Sequence, residues 1–78
     1  MLILDIYHVM EHLAQAAQAG VGSVSKRKAW LESMRNLLLT QDLDEVIGQL
    51  AGLPIEKSLR ERITNYLLTN RHRMDYRQ

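Results

Sequence analysis

Asp42-Leu43-Asp44-Glu45-Val46-Ile47-Gly48-Gln49-Leu50-Ala51-Gly52-Leu53-Pro54 is the stretch on which the fold is decided. Asp42 followed three residues later by Glu45 reads as a capping box, in which the Asp42 carboxylate takes the Glu45 amide and Glu45 reaches back to the Asp42 amide. Val46, Ile47 and Leu50 then share one helical face. Gly52 ends the run as a C-cap and Pro54 withdraws an amide donor. A short helix over 43–51 with its own start and stop needs helical neighbours to cover its apolar face.

The flanks supply them. Upstream, Ile6, Val9, Met10, Leu13 and Ala17 recur at the 3.6 spacing, and Gly20 and Gly22 stop that pattern, which predicts a helix over 6–19. Ser23 and Ser25 are N-cap candidates for a second helix over 26–40. Its stripe is Trp30, Met34, Leu37 and Leu38, with Trp30 read as a core anchor. Downstream, a fourth helix over 55–73 carries Ile55, Leu59, Ile63, Tyr66, Leu67 and Met74. It can begin with Pro54 as its first residue, or at Ser58, where Ser58-Leu59-Arg60-Glu61 forms a second capping box. The expected fold is all-α, a small bundle of about four helices in one domain over 1–78, with connections short enough for antiparallel neighbours.

The N-terminus departs from this pattern. Leu2-Ile3-Leu4 is a short apolar run that suits either the first turn of the first helix or a strand over 2–5. A lone strand cannot satisfy its own backbone groups, so the second option makes it an orphan of a sheet built elsewhere.

Composition narrows the class. Seventy-eight residues suffice for one small domain, which buries only about 60% of its unfolded surface. Apolar residues at 46% and charged residues at 24% give a globular balance rather than that of a disordered tail. The absence of cysteine excludes a disulfide scaffold and a thiolate zinc finger. No apolar run is long enough to span a membrane. Met1-Leu2-Ile3-Leu4 is too short for a signal-peptide core and meets Asp5 at once, so a cytoplasmic location is expected.

The net charge of +1 is unevenly spread. Lys26, Arg27 and Lys28 make a basic turn, and residues 29–56 hold five acids against Arg35 alone. Residues 57–78 hold six Lys and Arg against Glu61 and Asp75. Two basic regions around an acidic middle could meet a phosphate backbone. An ordinary solvated helix face with i,i+4 pairs is the plainer reading.

Three places carry residue types suited to chemistry. His8-Val9-Met10-Glu11-His12 matches H-x-x-E-H, which on a helix sets two imidazoles one turn apart with a carboxylate between them. As a zinc-peptidase site it needs a third ligand and a substrate cleft. The alternative is a polar helix face. Asp5, between the apolar run and the first helix, is either the N-cap of that helix or a metal ligand at a strand end. At the other terminus Arg71, Arg73 and Arg77 could contact phosphates while Tyr76 stacks on a base. Otherwise those cations simply favour the C-terminal helix dipole.

Ile3-Leu4-Asp5-Ile6-Tyr7-His8-Val9-Met10-Glu11-His12-Leu13, followed by an Ala-rich helix, resembles the strand-then-helix around the second catalytic aspartate of DDE-type transposases from bacterial insertion sequences. Tyr66-Leu67-Leu68-Thr69-Asn70-Arg71-His72-Arg73-Met74-Asp75-Tyr76 is similar to the family segment before its glycine-rich stretch and final glutamate. Trp30-Leu31 and the leucine-rich middle resemble the family's helical insertion. The resemblance implies a segment of an RNase H-like enzyme that cuts and joins DNA with Mg²⁺, with Asp5 as catalytic residue and metal ligand. The family's first aspartate would precede Met1 and its glutamate would follow Gln78, so the chain alone is expected to lack catalysis. The competing expectation is a free-standing helical module that binds protein or DNA, or pairs as a homo-oligomer.

Overall fold

Four α-helices follow one another along residues 5–74, the part of the chain that the computed structural model describes: α1 (Ile6–Gly20), α2 (Val24–Leu39), α3 (Leu43–Ala51) and α4 (Lys57–Thr69). A 3₁₀ turn at Arg71–Arg73 closes the series. The protein is a small all-α bundle, and no strand occurs among the described residues. Residues 2–4 of the orphan strand lie outside the described residues. Asp5 is the N-cap of α1.

The first three helices start where a side chain can replace a missing backbone partner, whereas Glu56 at the start of α4 makes no side-chain cap. The Asp5 carboxylate accepts from the Tyr7 amide at 2.9 Å, the Ser23 hydroxyl from the Lys26 amide at 3.2 Å, and the Asp42 carboxylate from the Glu45 amide at 3.3 Å. Ser23 rather than Ser25 therefore caps α2. Only half of the Asp42 capping box forms. The Asp42 amide instead donates to the Leu37 carbonyl at 2.8 Å, and the Glu45 carboxylate accepts from the Gln49 side chain at 3.1 Å.

That diverted amide belongs to a Schellman closure of α2. Gln41 sits in the left-handed region at φ 60° and its amide donates to the Leu38 carbonyl at 3.1 Å, inside the Asp42–Leu37 bond. The Thr40 hydroxyl adds donation to the Asn36 and Leu37 carbonyls, each at 3.1 Å.

The fourth helix differs from the expected 55–73 at both ends. It starts at Lys57, not at Pro54, and Ser58 lies inside its first turn rather than capping it. Residues 53–56 are held in a turn instead. The Ile55 amide donates to the Leu53 carbonyl at 2.9 Å, and the Arg60 guanidinium donates to the Leu53 and Ile55 carbonyls at 3.0 and 3.1 Å. At the other end the Asn70 side-chain amide donates to the Tyr66 carbonyl at 2.8 Å, and the chain tightens into the 3₁₀ turn. The tighter turn delivers Met74 into the core.

α1 packs on α2 and α4, and α3 completes the bundle by packing on the same two helices. The core is built from Val9, Leu13, Ala16 and Ala17 of α1, Met34 and Leu38 of α2, Leu43, Val46 and Leu50 of α3, and Ile63 and Leu67 of α4. No polar or charged residue is buried among the described residues. Trp30 is half-buried and packs against this core from its rim, beside Leu31 and Leu37. It is a flank of the core rather than its centre. The side of α1 that faces Ile55 needs Gly20. A Cβ there would stand 2.8 Å from Ile55 Cγ2 and 3.3 Å from Leu53 Cβ.

Candidate functional site

The residues singled out for chemistry fall in two places, the outer part of the α1–α4 seam and the end of the bundle where α4 leaves it. Along the seam the two helices run in opposite directions. Gln15 accepts from Arg62 at 2.9 Å, His12 stacks on Tyr66, and Gly20 meets Ile55. The His12 and Tyr66 ring centroids are 3.8 Å apart at an interplanar angle of 25°. His12 Nδ1 is buried without a hydrogen-bond partner. Burial pushes the Tyr66 hydroxyl above its ordinary value of 10.0, with the Glu11 charge adding to the rise and the Arg73 charge opposing it.

Asp5 stands at the start of α1, exposed, with its carboxylate accepting from the Tyr7 amide. Its charge also favours the positive end of the α1 dipole. A two-metal site for Mg²⁺ needs several acidic oxygens on rigid supports. Among the described residues no three His, Cys, Asp or Glu side chains come together to hold a metal ion, at Asp5 or elsewhere. The described residues therefore do not fit a Mg²⁺ pair by themselves, and no catalytic step is derived through one. His8 and Glu11 are exposed on α1 and His12 is half-buried, so the H-x-x-E-H pattern gains no third ligand from another helix.

At the far end of α4 the basic residues are partly engaged. Arg71 pairs with Asp44 in the first turn of α3 at 3.1 Å, and both side chains are largely exposed. Arg73 donates to the Asn70 side chain at 3.2 Å. Arg77 and Tyr76 lie outside the described residues. A cavity of about 150 Å³ opens beside Arg71, lined by Leu38, Gln41, Leu43 and Met74.

No protein-family model, curated protein or solved structure matches this chain.

Arg71, towards the C-terminal end of the second basic region, does not join the basic turn of α2 in one surface. Lys26, Arg27 and Lys28 open α2, whereas Arg71 lies beside Leu38 and Gln41, where α2 ends. With a rise of about 1.5 Å per residue, most of the length of α2 separates them. Arg27 is also occupied structurally, since its Nε donates to the Val21 carbonyl at 2.8 Å and braces the α1–α2 turn. The role of the Arg60 guanidinium was equally hidden in the sequence, because its carbonyl partners lie in a turn that no motif announces. No helix among the described residues is long and apolar enough to cross a membrane.

Proposed function

We propose that this chain is a helical segment of a DDE-type transposase that acts on DNA in the cytoplasm. In this reading the parent enzyme cleaves DNA and transfers strands with Mg²⁺. Asp5 supplies one carboxylate of its metal site, the remaining carboxylates come from parts of the parent beyond this segment, and Arg71, Arg73 and Arg77 face DNA. The observation that carries the reading is the order of the two end motifs, Ile3–Leu13 and Tyr66–Tyr76, around a body rich in leucine. The exposure of Asp5 at the start of α1 leaves its carboxylate accessible, as this reading requires.

The DNA surrounding this coding sequence tests the reading. A continuous frame that encodes an aspartate-bearing strand upstream and a glycine-rich stretch with a glutamate downstream, between terminal inverted repeats, is the expected result. Intact unrelated genes directly on both sides would overturn it.

A second reading, a free-standing interaction module, is supported by the core. The four helices bury their apolar stripes against one another without a buried polar residue among the described ones. Sedimentation of the chain alone separates the two readings. A dimer that persists at high salt favours the module, because an apolar interface is insensitive to screening.

A further inference from the structure

His8 and His12 occupy successive turns of α1, and residues four apart on a helix bring their Cβ atoms to roughly 5–6 Å. His8 is exposed and makes no hydrogen bond, ion pair or ring contact among the described residues. His12 has its ring fixed by the stack on Tyr66 and its Nδ1 sealed off without a partner. Nε2 is not sealed in that way and makes no hydrogen bond among the described residues. A metal ion held by Nε2 requires the ring proton to sit on Nδ1. Glu11, exposed and three residues from His8, adds negative charge on the same side of α1. Across the seam Arg73 is the opposing charge near Tyr66.

We propose that His8 and His12 form a two-imidazole chelate on α1 for a borderline divalent transition ion, with water completing its coordination. Imidazole nitrogens at this spacing suit Zn²⁺, Ni²⁺ and above all Cu²⁺, which stands highest in the affinity order for nitrogen ligands. The Tyr66 stack lowers the ordering cost by holding one of the two rings in place before the ion arrives. Two protein ligands agree with the lack of any three-residue cluster among the described residues. The site makes no use of Asp5 and does not depend on the transposase reading.

The test is titration of the whole chain with Cu²⁺ in the presence of excess Mg²⁺, followed by electron paramagnetic resonance and by quenching of tyrosine and tryptophan fluorescence. The expected result is one Cu²⁺ per chain with hyperfine structure from two nitrogens. H8N, at an exposed position, should lose one nitrogen and weaken binding about tenfold or more, because the second ligand acts at a high effective concentration. H72N should leave affinity and spectrum unchanged. Binding that survives H8N undiminished, or that is lost on H72N, would overturn the proposal. So would H12N binding like the unmodified chain while retaining its helical circular dichroism.

Discussion

The two ends of the bundle close by different means. Where α1 meets the α3–α4 turn, the chain relies on a missing side chain and a long cation: Gly20 lets Ile55 and Leu53 approach, and Arg60 gathers the Leu53 and Ile55 carbonyls. Where α2 turns into α3, the backbone does the work through the paired amides of Gln41 and Asp42, at the cost of a non-glycine residue at positive φ. The first end is fitted by sterics and charge. The second is a general helix stop carried out with an unfavourable residue. Substitutions at the first end should therefore destabilise the protein, while the second leaves room for improvement.

R60A should have the largest effect. It removes a cationic donor from two carbonyls and strips packing from the turn, and hydrogen bonds to charged groups are worth roughly 1.5–3 kcal/mol. Urea denaturation should show a loss of about 2 kcal/mol. An unchanged midpoint would mean that the turn holds without the guanidinium. G20A should follow, with a net loss of about 1–2 kcal/mol, because overpacking outweighs the gain in helix propensity. Gly48 is the control within the same comparison: a Cβ there meets nothing within 4 Å, so G48A should stabilise α3 by up to about 1 kcal/mol.

At the other end, Q41G should raise stability by about 1 kcal/mol by relieving the left-handed conformation. A loss would show that the Gln41 side chain matters more to the corner than its backbone strain. D44N, which breaks the exposed pair with Arg71, should change stability least, by less than about 0.5 kcal/mol, and the change should fade in high salt. If D44N proved as costly as G20A, the contrast between the two ends would collapse.

The same contrast shows what could be read from the sequence. The apolar stripes placed Val9, Leu13, Met34, Leu38, Val46, Leu50, Ile63 and Leu67 in the core, because helical spacing alone decides which positions share a face. Asp42 was legible as a cap because its role is local. Its reciprocal bond with Glu45 was not, because the Asp42 amide is captured by Leu37 across a turn at Gln41, where no glycine signals a left-handed residue. Ser58 offered a plausible cap, yet the start of α4 is set by Arg60 acting back across the turn. Gly20 was legible as a stop but not as a point of close approach, which depends on where Ile55 arrives. In the candidate site, the spacing of His8 and His12 was visible. The Tyr66 ring that orients His12 comes from a helix more than fifty residues further on.

The most direct test of the proposed function is DNA transposition by the proposed parent enzyme carrying D5N. Asparagine caps a helix about as well as aspartate, so the bundle should keep its stability. A carboxylate that holds a metal ion has no such substitute. The account predicts that D5N abolishes DNA cleavage while the melting temperature stays that of the unmodified protein. Full transposition activity in D5N would contradict it.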